Sequence, residues 1–116
     1  MPHPTPEAPR PLRVLHLEDS PLDHELVGLQ LQRGGLRADL LRVETEPAFA
    51  QALGQPWDAV LSDYNLPGFG GLQALALVRR RDRALPFVLL SGEIGEDVAV
   101  QAMRLGASDY LLKHNM

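Results

Sequence analysis

The chain contains no cysteine. That absence removes disulfides, thiolate nucleophiles and cysteine-based zinc sites together, and it is compatible with a reducing cytoplasm. Long apolar stretches are missing too. The longest, from Ala84 to Leu90, falls far short of the ~20 residues that cross a bilayer, so a membrane link would have to lie outside this sequence. Positive charge is scarce: 11 basic residues stand against 15 acidic ones, a formal net charge of -4. No basic field is left to hold nucleic acid or anionic lipid. Arg79, Arg80, Arg81 and Arg83 form a local basic run, but cations near a helix's carboxyl end complement its dipole and stay solvated. A protein or a small ion is the expected kind of partner.

What is present bounds the architecture. A chain of 116 residues with 45% hydrophobic content is the size of one compact domain around one core. Residues 1–11 carry Pro2, Pro4, Pro6, Pro9 and Pro11 without an apolar stretch, which reads as an extended, disordered tail rather than a signal peptide. The folded domain is then 12–116. Within it, short apolar runs alternate with segments of helical period, the pattern of βαβ units on a parallel sheet. Strands are expected at Arg13 to Leu17, Asp39 to Val43, Ala59 to Ser62, Phe87 to Leu90 and Tyr110 to Leu112.

Four helical stripes fall between them: Leu22, Leu26 and Leu29; Phe49, Ala50 and Leu53; Leu72, Leu75, Ala76 and Val78; Ile94, Val98, Ala102 and Leu105. Ser20 with Pro21 and Thr45 with Pro47 suit helix starts, while Gly34, Gly54 and Gly106 suit helix ends. Right-handed crossovers on such a sheet give an open doubly wound α/β fold, with ligands beyond the carboxyl ends of the strands.

Those strand ends carry the chemistry. The first ends in Glu18 and Asp19, the third in Asp63, the fourth in Ser91, and the fifth runs into Lys113. Two adjacent acids facing a third repel one another unless a hard cation neutralises them, and oxygen-only ligation points to Mg2+. Each group also has a plainer structural reading. Ser20 with Asp23 matches a capping box, Asp63 before Asn65, Pro67, Gly68, Gly70 and Gly71 suits a turn, and Ser91 with Gly92 suits a helix cap. Lys113 resists such a reading, because every other cationic side chain of fixed charge is arginine and a compact ammonium suits a phosphoryl or carboxylate oxygen. His3, His16, His24 and His114 share no ligand spacing and are read as surface or packing residues, and Trp57 as cover for the core's edge.

Taken together, LHLEDS, SDYNLPGFGG, LLSGE and GASDYLLK resemble, in order and spacing, the signatures of receiver domains in two-component response regulators. The resemblance implies a flavodoxin-like sheet in strand order 2-1-3-4-5. It implies that Asp63 accepts a phosphoryl group from the phosphohistidine of a histidine kinase or phosphotransfer protein in the cytoplasm. Mg2+ would be ligated by Asp19, Asp63 and the Asn65 backbone carbonyl, with Glu18 acting through water. Ser91 and Lys113 would hold phosphoryl oxygens, and Ser91 with Tyr110 would form the switch. The only reaction expected besides acceptance is self-dephosphorylation.

Receivers normally continue into a fifth helix, whereas this sequence stops at Met116. A truncated domain is therefore expected, with an output module beyond Met116 in a longer parent and a tendency to dimerise over uncovered sheet. Three rivals remain. A haloacid-dehalogenase-like phosphatase needs a proton-donating carboxyl two residues after the nucleophile, where Asn65 stands. A flavin-binding module would place the acidic EDSPLD loop against a phosphate. A pure interaction module would leave the complete residue set without chemistry.

Overall fold

The computed structural model describes residues 10–92 and 95–113. Nine elements alternate along it: β1 (Leu12–Leu17), α1 (Pro21–Arg33), β2 (Ala38–Val43), α2 (Glu46–Ala52), β3 (Ala59–Asp63), α3 (Gly71–Arg81), β4 (Phe87–Ser91), α4 (Glu96–Arg104) and β5 (Asp109–Leu112). The strands form one parallel sheet in the order β2-β1-β3-β4-β5. The expected fold class, strand order and four helices are those observed. Each strand lies within a residue of its expected bounds, β3 and β4 running one residue further to include Asp63 and Ser91. The tail expected over residues 1–11 lies, up to residue 9, outside the described residues, as do Ile94, His3 and His114. No fifth helix occurs among the described residues.

Local chemistry sets the helix starts. Ser20 Oγ accepts the Asp23 N–H at 3.2 Å and Thr45 Oγ1 the Ala48 N–H at 3.3 Å, while a proline occupies the first turn of each helix. At the first helix's end the left-handed residue is Gly35 (φ 85°) rather than Gly34. The sheet's two faces are covered unequally. Leu15, Leu17, Val60, Phe87 and Leu89 pack beneath α2, α3 and α4 through Phe49, Ala52, Ala74, Leu75, Val78 and Ala102. Burial of a side chain such as Phe49 or Leu75, both at 0% exposure, contributes about 2–3 kcal/mol. The opposite face gathers Val14, Leu61 and Leu90 under Val27 and Leu31 of α1, the only helix over it among the described residues. Trp57 covers the larger core's edge as expected, donating to the Ala52 carbonyl at 2.8 Å beneath Arg13.

The first helix corrects the stripe read from periodicity. Leu22, Leu26 and Leu29 are 63%, 46% and 49% exposed, and Val27 and Leu31 face the sheet instead. Apolar residues surround much of α1, so spacing alone does not choose its buried face. Two polar contacts set its rotation: Asp23 reaches Lys113, and His24 meets His16 with their Nδ1 atoms 2.9 Å apart and their rings stacked. Smaller departures follow the same logic. Ala74 is buried where Ala76 was expected, and Leu105 turns out to be exposed.

His16 is fully buried on β1, and its Nε2 has no hydrogen-bond partner. Burial, reinforced by His24, Lys113 and Arg42, pushes its imidazole from 6.5 down to about 3. The unfolded chain therefore binds a proton near 6.5 that the folded chain refuses until about 3. Across that window falling pH favours unfolding by up to about 1.4 kcal/mol per unit. Urea unfolding of His16→Leu should show a shallower loss of stability from pH 6.5 toward 3 than the parent. Parallel curves would contradict the assignment.

Candidate functional site

The parallel register brings the carboxyl ends of β1, β3, β4 and β5 to one edge: Leu17 lies beside Ser62, Asp63 beside Leu90, and Ser91 beside Leu112. Glu18 continues the ladder, donating its N–H to the Val43 carbonyl at 2.9 Å, while Arg42 donates to the Glu18 carbonyl at 3.2 Å. The Glu18 side chain is thereby directed inward and is fully buried, Asp63 is 6% exposed, and Asp19 is exposed. One carboxylate oxygen from each of the three lies within 4.8 Å of the others.

Asp63 stands where β3 gives way to a turn that can close only with small residues. Gly68 takes a left-handed φ of 74°, and a Cβ on Gly71 would lie 2.7 Å from the Asp63 carbonyl oxygen and collide with Leu89. Phe69, buried against Phe49, fastens this turn to the core. The Asn65 N–H is directed at the Asp63 carboxylate.

Lys113 crosses from the end of β5 into this acidic edge. Its Nζ stands 2.8 Å from Asp23 Oδ2, 2.9 Å from Glu18 Oε2 and 3.3 Å from Asp63 Oδ2. Burial raises the Glu18 carboxyl, with the Lys113 ammonium and the Ser20 N–H acting against it. Burial likewise raises Asp63, opposed by Lys113 and the Asn65 N–H and assisted by Asp19. For Lys113 burial acts downward, but Asp23, Glu18 and Asp63 outweigh it and hold the ammonium above the usual lysine value.

Ser91 is 3% exposed, one residue beyond the Leu90 that pairs with Asp63. Tyr110 is half-buried, its hydroxyl 3.9 Å from where a Cβ on Gly95 would stand at the start of α4. Glu18, Asp19, Asp63 and Lys113 thus meet directly, Asn65 and Ser91 border them, and Tyr110 lies toward α4.

Two features escaped sequence reasoning. His16 and His24 do have a common purpose, as a packed pair joining α1 to β1. Asp23 had been read as half of a capping box, yet only its N–H reaches Ser20 Oγ. The Ser20 N–H goes instead to Glu18 Oε1 at 3.1 Å, and the Asp23 carboxylate goes to Lys113, where both partners are charged, in place of an uncharged backbone N–H. The legible signal was an acid in the first turn of the helix that follows the Glu18–Asp19 pair.

The donor set suits a hard divalent cation. It is oxygen only: one carboxylate oxygen each from Glu18, Asp19 and Asp63 lies within 4.8 Å of the others, and the single ammonium beside them is shared with Asp23, which leaves the cluster negative. Among the described residues no helix is long and apolar enough to cross a membrane.

Comparison with known proteins agrees with the geometry. The family model for the response regulator receiver domain matches residues 14–116. The chain is 37% identical over 102 residues to response regulator protein FleR of Pseudomonas aeruginosa, covering 87% of this chain but 21% of FleR. It superimposes on the signal receiver domain of the response regulator NarL from Mycobacterium tuberculosis with a TM-score of 0.77 at 29% identity, over 90% of this chain and 86% of that one. The Mn2+-bound form of response regulator Rcp1 matches at a TM-score of 0.72 and 27% identity, over 88% and 81% of the two chains. Strand order, an acidic edge crossed by one lysine, and a match over nearly the whole chain place this protein in the response regulator receiver domain family.

Proposed function

We propose that Asp63 is the phosphoacceptor of this receiver domain, taking a phosphoryl group from the phosphohistidine of a histidine kinase or phosphotransfer protein. The observation that carries this reading is the Lys113 ammonium set among Asp63, Glu18 and Asp23. A carboxylate nucleophile and a cation stand together at a sheet edge. An Asp63 oxygen attacks phosphorus in line, the P–N bond breaks, and the donor histidine nitrogen keeps the electron pair and gains a proton. The product is an acyl phosphate on Asp63, which water hydrolyses to restore the carboxylate and release inorganic phosphate.

Asp19, Asp63 and the Asn65 carbonyl would hold Mg2+, with Glu18 acting through water; Rcp1, a relative, binds Mn2+. When bound, the cation neutralises the clustered carboxylates and the charge on transferring phosphoryl oxygens. Lys113 places its charge beside those oxygens. The Ser91 hydroxyl donates to one of them, and Tyr110 turns into the space Ser91 leaves, altering the face formed by α4 and β5. Phosphoryl attachment shifts this equilibrium only by its differential stabilisation of the two states. Asn65 has no proton for a leaving group, which argues against a phosphatase.

The wider setting is part of the same proposal. Residues 12–116 form the receiver unit, a kinase in the cytoplasm supplies the phosphoryl group, and an output module follows in a longer parent. The sheet face that, among the described residues, only α1 covers supports self-association of two copies.

Two variants test the assignment. Asp63→Asn should take up no phosphoryl group from acetyl phosphate with Mg2+, as read by intact mass, and uptake at the parent's level would refute it. Ser91→Ala should accept phosphoryl but show smaller NMR shift changes over α4 and β5. Changes equal to the parent's would remove Ser91 from the switch.

A further inference from the structure

The lysine is nearer to Asp23 than to Asp63, at 2.8 Å against 3.3 Å. Asp23 is set by its helix: Pro21 opens α1, and Ser20 Oγ accepts the Asp23 N–H. Its carboxylate therefore faces the sheet edge and accepts from Lys113 across 90 residues of sequence. The three carboxylates around the ammonium differ in exposure. The Glu18 side chain is 0% exposed and that of Asp23 39%.

A phosphoryl group on Asp63 would bring more negative charge and further acceptor oxygens, so it must draw the lysine from a present partner. Taking it from Glu18 strands a buried carboxylate, which is costly. Asp23 rehydrates when released, at little cost. The contact given up is the one to α1.

We propose that Asp23 is a positioning residue for Lys113, docking the ammonium on the α1 side in the resting protein and competing for it with the phosphoryl group on Asp63. This rests on the reading of Asp63 as phosphoacceptor. Phosphorylation then releases the first turn of α1. The cavity of about 220 Å3 lined by Asp23, Leu26, Val27, Gln30 and Lys113 changes its wall, beside the exposed Leu22.

Lys113 is the chain's only lysine, so lysine-specific 15N labelling gives one ammonium signal to follow. The full chain is compared with Asp23→Asn and Asp23→Glu. In resting, metal-free protein the Lys113 signal should move in Asp23→Asn and stay near the parent's position in Asp23→Glu. With saturating Mg2+ and acetyl phosphate, where acetate leaves as Asp63 binds phosphorus, uptake should rise about three- to fivefold in Asp23→Asn, the weight of one partly screened ion pair. Asp23→Glu should react at the parent's rate. A merely structural role would lower uptake, so the gain separates competition from damage. Unchanged or slower uptake in Asp23→Asn overturns the proposal, whether or not the lysine signal moves. If the parent takes no phosphoryl group, the phosphoacceptor reading itself fails and this proposal with it.

Discussion

One ammonium ion holds the acidic edge together. Lys113 reaches Glu18 beyond β1, Asp23 on α1 and Asp63 on β3 from its place after β5, so four separately folded segments depend on a single positive charge. Without it Glu18 and Asp63, both nearly excluded from solvent, would face each other unpaired, the kind of uncompensated burial that costs about 3–5 kcal/mol. Even with it the balance stays negative. That surplus is what gives the edge its chemistry, since groups poised to gain from more positive charge respond to a cation or to the rearrangement of the one they have.

The sheet makes this concentration of charge possible. Parallel pairing aligns all carboxyl ends at one edge, and the core beneath α2, α3 and α4 fixes the strands so that acids can be held close against their repulsion. Tight closure after Asp63, where Gly71 leaves no space for a Cβ, returns the chain to that core within a few residues. The α1 face is lighter, resting on Val27 and the stacked His16–His24 pair.

Much of this was legible in the sequence, for physical reasons that also mark where legibility ends. Strands buried on both faces leave apolar runs such as Phe87–Leu90 that have no other economical use, and a parallel sheet then dictates that Glu18, Asp19, Asp63, Ser91 and Lys113 share an edge. A solitary lysine among arginines pointed to the same place. The rotation of α1 was not legible, because Leu22, Leu26 and Leu29 compose as good an apolar stripe as the Val27 face, and only tertiary partners decide between them. Asp23 was hidden by its own plausibility as a capping residue. The histidine pair was hidden by chain separation, since nothing local announces that a strand residue and a helix residue will stack.

The central claim is that the Asp63 carboxylate itself carries the phosphoryl group. It is tested most directly by transferring labelled phosphoryl from a phosphohistidine donor in the presence of Mg2+, digesting the labelled protein rapidly in cold acid so that the acyl phosphate survives, and mapping the phosphorylated peptide. A hydroxylamine-labile label confined to Asp63 and abolished by chelating the metal is the result expected. A label that resists hydroxylamine, lies on Ser91 or a histidine, or forms equally well without divalent cation would contradict it.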